Sequence, residues 1–276
     1  KLILRSIIKL APSPSTPRYC PMNNHLEITL TAGCPMMCSY CPQDNYIKGY
    51  KATNTTSKKN MSLEDYKVIL KNVDHRINHV FFTGFTEALA HPEWDKFVEY
   101  TKSQGYKTTF NTTLYGATKE KIDRLVELDV DVEIHLTDSR IDIPEGMLEY
   151  FAESYKRSDA IFNFFTEEGR NLLPSKGDHR AISAHSRADN LEHIPRKVIP
   201  GPVRCNSNRF FSNVVIPNGD VSVCCSDFSL KHILGNLLTQ TLEEIHKGEP
   251  MRNFFKKMGE GDTSFICNNC DYAYPG

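Results

Sequence analysis

The 276 residues carry 33 Lys and Arg against 34 Asp and Glu, a net charge of −1, so no broad electrostatic attraction to nucleic acid or anionic lipid is expected. A hydrophobic share of 39% is enough for one sizeable core, or for one core with an appendage. No apolar run reaches the ~18–20 residues that cross a bilayer; the opening Lys1–Leu10 is short and interrupted by charge and reads as a packed arm, so no membrane is expected and the expected location is the cytoplasm.

Residues 11–22 form a Pro-rich lead-in without helical character. His25–Thr31 predicts a strand, with Leu26, Ile28 and Leu30 alternating with polar neighbours. Residues 42–60 read as a polar loop; Ser62 then offers an N-cap, with Asp65 three residues on, for a helix to about Asn72. Val80–Thr83 predicts a buried strand, Pro92–Gln104 a helix and Tyr106–Thr112 a strand. Thr118–Leu128 predicts a helix with Ile122, Leu125, Val126 and Leu128 apolar, Val130–Leu136 a strand, Pro144–Arg157 a helix and Ala160–Phe165 a strand.

This alternation argues for parallel βαβ units. Right-handed crossovers would curl five or six such strands into an open or partial barrel, with function at the carboxyl ends of the strands. The expected fold is therefore α/β, a partial (βα)5-6 barrel of parallel strands over residues 25–166, preceded by an N-terminal arm at 1–24. Residues 167–204 show little periodicity and read as a linker or substrate loop. Phe211–Ile216 and Val221–Cys224 predict a hairpin around Asn218-Gly219, followed by short helices near Leu242–His246 and Met251–Met258. Residues 205–276 are thus expected to form a small C-terminal unit of β-hairpin plus helix.

Nine cysteines fall as Cys20, then 34/38/41, then 205, 224 and 225, then 267/270. Their grouping points to metal ligands in a reducing compartment rather than to a disulfide framework. Cys34-x3-Cys38-x2-Cys41 lies in the first βα loop, where such a barrel keeps its site, and has no histidine between its cysteines. Three thiolates can hold three irons of a cubane and leave the fourth iron open, whereas structural zinc wants four ligands; a partial zinc knuckle is the alternative. Cys205, Cys224, Cys267 and Cys270 make a four-thiolate set that would ligate a second cluster fully, and a tetrahedral zinc would fit it equally well.

The cysteine triplet resembles the cluster motif of radical S-adenosylmethionine (SAM) enzymes. That resemblance implies a [4Fe–4S] cluster on Cys34, Cys38 and Cys41 whose open iron chelates SAM. Thr83-Gly84-Phe85-Thr86-Glu87-Ala88 occupies the place of the family's Gly-Gly-Glu-Pro-like turn, so Gly84 and Glu87 are expected at the SAM amino group. Phe85 and Ala88 depart from that pattern, and Glu87 read without the family is an acid complementing a helix N-terminus. The family's strand ends supply further SAM contacts, here Asn111, Thr112 and Glu133, and Tyr40 matches an aromatic found near the adenine, or else packs against its loop. Glu133 and His135 share one face of their strand, lining a polar cavity or facing solvent at a sheet edge.

The C-terminal region resembles the SPASM/twitch extensions of the same family. Asn218-Gly-Asp-Val-Ser-Val-Cys224 looks like the strand that delivers a ligand after a Gly turn, and Leu234-Gly-Asn-Leu, a short helix and Cys267-x2-Cys270 follow. The resemblance implies an auxiliary [4Fe–4S] cluster on Cys205, Cys224, Cys267 and Cys270; the number of cysteines favours the shorter twitch version, and the layout is most like that of aminocyclitol-oxidising members. Candidate catalytic residues are His135, Arg187 and Cys225. Arg187, in a Ser-Arg-Gly-like turn, is an expected substrate anchor or else a solvated side chain. Cys225 is a buried hydrophobe or a hydrogen-atom donor, a role open to Cys20 as well.

What the family implies is reductive cleavage of SAM to a 5′-deoxyadenosyl radical that takes hydrogen from a C–H bond of a small polar substrate, a sugar or a cyclitol, giving dehydrogenation or epimerisation. The electron donor would be a flavodoxin or ferredoxin. Modification of a ribosomal peptide is the runner-up among enzymes, and a zinc-stabilised, non-catalytic binding protein is the alternative outside them.

Overall fold

The computed structural model describes residues 24–54, 58–138, 143–155, 160–175, 177–195, 198–205 and 213–276. Cys20 and the N-terminal arm lie outside these residues, as do Phe211 and Ser212 of the expected hairpin. Six parallel strands run in sheet order: β1 (His25–Ile28), β2 (His79–Phe82), β3 (Lys107–Thr112), β4 (Asp131–Leu136), β5 (Ile161–Phe164) and β6 (Asp178–Ala181). The helices between them are α1 (Gln43–Thr53), α2 (Leu63–Asn72), α3 (Trp94–Ser103), α4 (Lys119–Glu127), α5 (Met147–Ser154) and the short α6 (Glu167–Arg170).

The alternation along each strand decides what faces what. Leu26, Ile28, Val80, Phe82, Phe110, Val132 and Ile134 are wholly buried in one cluster with Tyr66, Phe97, Leu125 and Phe151 of the helices. Burial of each such side chain contributes roughly 1.5–3 kcal/mol, which makes this outer layer the main source of stability. The opposite face carries Glu27, Asn111, Glu133, His135 and the buried Asn163, so the inside of the partial barrel is polar rather than filled by branched aliphatics. Local signals start the helices as read from the sequence: Ser62 Oγ accepts from Asp65 N, and Thr118 Oγ1 from Lys121 N.

Two expectations fail. Residues 42–60 are not a loop throughout, because α1 occupies Gln43–Thr53; only Tyr46 and Tyr50, one turn apart, are buried, and the remaining polar residues hide the helical period. Residues 167–204 contain α6 and a sixth parallel strand, β6, whose four residues are all exposed; an edge strand without a buried face has no alternation to detect.

Near the C-terminus, β8 (Val214–Val215) and β9 (Asp220–Ser222) form the expected hairpin, shorter than read, with Gly219 at φ +86° in the turn. β8 pairs in parallel with β1, and β10 (Ile233–Asn236) pairs with β9, so the hairpin continues the barrel sheet. α7 (Leu242–Lys247) starts with a capping box between Thr241 and Glu244, and α8 (Glu249–Glu260) follows directly. β7 (Val203–Cys205) pairs antiparallel with β11 (Ala273–Pro275), setting Cys205 opposite Ala273. No helix among the described residues is long and apolar enough to cross a membrane.

Candidate active site

A cavity of about 420 Å³ opens at the carboxyl ends of the parallel strands, and Cys34, Cys38 and Cys41 all line it. Their loop is tied down by side chains. Cys34 N donates to Gln43 Oε1 at 3.0 Å; Gln43 Nε2 donates to Phe85 O at 2.8 Å and lies 3.8 Å from Cys41 Sγ. Cys38 Sγ is 2.7 Å from Thr137 Oγ1, and Ser39 donates from N and Oγ to the Asp138 carboxylate at 3.0 and 2.5 Å. The loop is thereby held between the turn after β2 and the end of β4.

Burial pushes the Cys34 thiol up to about 12 and, with the neighbouring Cys38, the Cys41 thiol up to about 11, the latter opposed by the Arg187 charge. Cys38 is raised by burial as well. Free thiols here are protonated at neutral pH, so loading a metal centre must release protons. Among the described residues no three His, Cys, Asp or Glu side chains converge on the position of one metal ion. Three thiols lining an open cavity are the donor set of an iron–sulfur cluster with one iron left free, whereas a structural zinc site is closed by four ligands.

The turn after β2 is built around Glu87, which is 4% exposed. Its Oε1 accepts from Leu89 N at 2.9 Å and Thr112 Oγ1 at 2.6 Å; its Oε2 accepts from Thr113 N at 2.6 Å and Thr113 Oγ1 at 2.7 Å. The carboxylate therefore caps the 3-10 turn Ala88–Ala90 and also laces β2 to β3 while lining the cavity. Gly84 has φ +82°, and a Cβ there would lie 2.0 Å from Thr29 Oγ1. Only glycine lets the backbone pass so close.

Glu133 and His135 face the cavity and not solvent, as does Asn111. Glu133 Oε2 receives Asn111 Nδ2 at 3.5 Å and Asn163 Nδ2 at 3.3 Å. His135 meets Phe165 edge to face at 5.6 Å; burial, and then the Arg187 charge, hold its pKa down to about 4, so it is neutral at ordinary pH. Tyr40 stacks on Phe165 at 4.2 Å, and its hydroxyl lies beside Cys38 and Thr137 without a well-formed hydrogen bond. Asn111 Oδ1, Arg187 Nε and Tyr40 Oη are all buried without a hydrogen-bond partner, and all three residues line the cavity. The residues line the cavity, while these three atoms themselves are shielded from its open space.

The far wall comes from the chain after β6 and from the C-terminal region. Arg187 stands over the Phe228 ring at 6.0 Å, Phe228 meets Phe85 at 4.9 Å, and Phe85 stacks on Tyr46 at 4.9 Å. His185, Tyr272 and Cys225 complete this wall. Cys225 sits in a turn and not on a strand, because β9 ends at Ser222; it lines the cavity and packs in an apolar cluster while staying beside Cys224 and Cys270. Cys224 packs with Cys205, Cys267 and Cys270 against the main core. Cys224 feels the charges of Cys225, Cys267 and Cys270, Cys267 those of Cys270 and Cys205, and Cys270 that of Cys205, so these cysteines lie in one region of the C-terminal unit.

The residues singled out in the sequence around the first cysteine site thus line one cavity: Cys34, Cys38, Cys41, Tyr40, Gly84 and Glu87 on one side; Asn111, Thr112, Glu133, His135, Arg187 and Cys225 on the other. The sequence reading missed Gln43, Thr137, His185 and Tyr272. Thr137 follows a strand end and was within reach of the strand-end rule, while Gln43 was hidden in the supposed loop.

Residues 28–156 match the radical SAM superfamily, and residues 205–271 match the SPASM iron–sulfur cluster-binding domain. The chain thus carries a radical SAM domain followed by a C-terminal SPASM iron–sulfur cluster-binding domain. A search of curated proteins finds no match. Among solved structures, BtrN in complex with AdoMet and 2-DOIA is similar at a TM-score of 0.61 and 18% identity, over 91% of this chain and 92% of that one. SuiB of Streptococcus suis bound to the precursor peptide SuiA is similar at 0.63 and 13%, over 90% and 70%. Native anSMEcpe with bound AdoMet is similar at 0.57 and 16%, over 90% and 87%. These are likenesses of fold, and they agree with the partial barrel described above.

Proposed function

We propose that this radical SAM enzyme dehydrogenates a small polar substrate, a sugar or a cyclitol, held between the two cysteine sites. The observation that carries the reading is that one cavity of about 420 Å³ is walled by the three-cysteine loop on one side and by Cys225, next to Cys224 of the four-thiol set, on the other. That volume is at the lower end of small-molecule pockets, roughly 300–1,000 Å³, and must also admit SAM. Fold similarity to BtrN, whose structure holds 2-DOIA, supports a substrate of this size, whereas SuiB holds a peptide.

When bound, the first cluster with SAM supplies a hydrogen-abstracting 5′-deoxyadenosyl radical, and the second supplies an electron acceptor. The protein's own residues bind and orient. Glu133 and Asn111 accept from ligand hydroxyls, and Glu87 fixes the turn on which Gly84 brings backbone against SAM. Arg187 anchors an oxygen of the substrate, and neutral His135 accepts the proton of the hydroxyl being oxidised. Because burial and Arg187 hold His135 near 4, turnover should stay flat as pH falls through 6.5, where an ordinary histidine titrates, and decline only as pH approaches about 4. A decline centred near 6.5 would remove His135 from that role. The check is the pH profile of product formation at saturating SAM.

Epimerisation is the second reading, and the Cys225 thiol on the cavity wall favours it. Anaerobic incubation with SAM, dithionite and C-deuterated sugars and cyclitols separates the two. Dehydrogenation gives a product lacking two hydrogens and leaves Cys225→Ser active. Epimerisation gives an isomer that has exchanged its carbon-bound deuterium for a solvent-derived hydrogen, and Cys225→Ser loses it while 5′-deoxyadenosine still forms. Label transfer from a peptide and from no sugar or cyclitol would overturn the substrate class.

A further inference from the structure

The segment that carries Arg187 is strained and unusually well tethered. Arg187, Ala188 and Asp189 have φ of +52°, +54° and +70°, three consecutive non-glycine residues in the left-handed region. Each costs of order 1 kcal/mol and persists only where its surroundings over-determine it. The surroundings here are specific. Ser186, wholly buried, donates from Oγ to Asp271 Oδ2 at 2.8 Å, and Asp271 directly follows Cys270. Asn190 Nδ2 donates to Arg187 O at 2.6 Å and to Ser226 O at 3.3 Å, the latter two residues beyond Cys224. Asn190 Oδ1 accepts from Ser229 Oγ at 2.9 Å and from Asn45 Nδ2 at 3.1 Å. Asn45 lies on α1, four residues beyond Cys41.

We infer that Ser186–Asn190 is a strap coupling the two cysteine sites: filling the four-cysteine site fixes Asp271 and Ser226, which hold the left-handed turn and so present Arg187 to the cavity, and SAM then binds more tightly at the three-cysteine site. Each link is on the molecule. The strap is bonded at its first residue to the chain beside Cys270, and at its last to the chain beside Cys224 and to the helix that follows Cys41. Between these anchors it delivers Arg187, whose charge reaches both Cys41 and His135. The inference rests on the reading that the first site binds SAM. Ser186, Asn190 and Asp271 are positioning residues in it, since none of them lines the cavity.

The test is SAM affinity, measured by equilibrium binding on anaerobically reconstituted protein with iron quantified in every sample. Cys267→Ser, which unloads the second site, should weaken SAM binding about fivefold or more while the first cluster stays loaded. Ser186→Ala should weaken it similarly with both sites loaded, and the double variant should be no worse than either alone. Asp271→Asn, which keeps an acceptor for Ser186, should bind as the wild type does, whereas Asp271→Ala should not. Should Ser186→Ala fail to fold, Asn190→Asp, which keeps the acceptor and loses the donor to Ser226, is expected to show the same loss. Trypsin should cleave after Arg187 faster in each weakened variant than in wild type. Unchanged SAM affinity in a folded, iron-loaded Ser186→Ala or Asn190→Asp protein would overturn the strap and leave the functional reading intact. Additive losses in the double variant would overturn the coupling, and wild-type protein that bound no SAM would overturn the functional reading and the strap with it.

Discussion

Glu87→Ala is expected to lower the stability of the protein by about 3 kcal/mol, a fall in melting temperature of roughly 5–10 °C, and to abolish measurable SAM binding. The carboxylate receives two backbone amides, of Leu89 and Thr113, and two hydroxyls, of Thr112 and Thr113, at 2.6–2.9 Å in a position only 4% exposed. Hydroxyls can rotate towards another acceptor, whereas the amides cannot, and each buried amide left unsatisfied costs about 1–3 kcal/mol. Glu87→Gln is not a conservative remedy. Whichever way its amide turns, one end meets a backbone N–H and a hydroxyl with a donor instead of an acceptor. It should recover no more than part of the lost stability, which thermal unfolding of the iron-loaded protein would measure directly. Full recovery in Glu87→Gln would show that the four-donor geometry is not what holds the turn.

Gly84→Ala is expected to cost a further class of energy, steric rather than polar. The added Cβ meets Thr29 Oγ1 at 2.0 Å and Thr29 Cβ at 3.2 Å, and φ is +82°. Overpacking costs typically 1–3 kcal/mol and the left-handed backbone about 1 more, giving about 3 kcal/mol in all. The clash falls on the hydroxyl that accepts Phe85 N at 3.2 Å, so relief by movement opens the turn that carries Phe85 and Glu87. Adding Thr29→Ala should restore part of the stability by removing the clashing oxygen, leaving the backbone term and an orphaned Phe85 N–H. No rescue at all would locate the damage in the backbone alone.

The strands of the barrel were legible because their outer faces are apolar and their inner faces polar, as with Val132 and Ile134 against Glu133 and His135. The three-cysteine loop was legible because ligand spacing is local in sequence. α1 was not, since two tyrosines on an otherwise polar segment set no visible period, and β6 was not, since an exposed edge strand needs none. The strap was legible only as a Ser-Arg-Gly-like turn at Arg187; its left-handed backbone was not, since that is announced by glycine and here falls on Arg187, Ala188 and Asp189, between Ser186 and Asn190 that Asp271 and Asn45 tether from distant parts of the chain. The turn at Glu87 was half legible. Its acid stood out beside Gly84, but the two threonines that bind the carboxylate belong to the end of β3.

The central claim is that Cys34, Cys38 and Cys41 hold a cluster that binds and cleaves SAM in the cavity they line. Its most direct test is 5′-deoxyadenosine formation by anaerobically reconstituted protein given SAM and dithionite, scored by chromatography alongside SAM binding, with Cys34→Ala as control. The account predicts SAM binding and 5′-deoxyadenosine from the wild type and neither from Cys34→Ala. Folded, zinc-bearing, iron-free protein that neither binds nor cleaves SAM would contradict it.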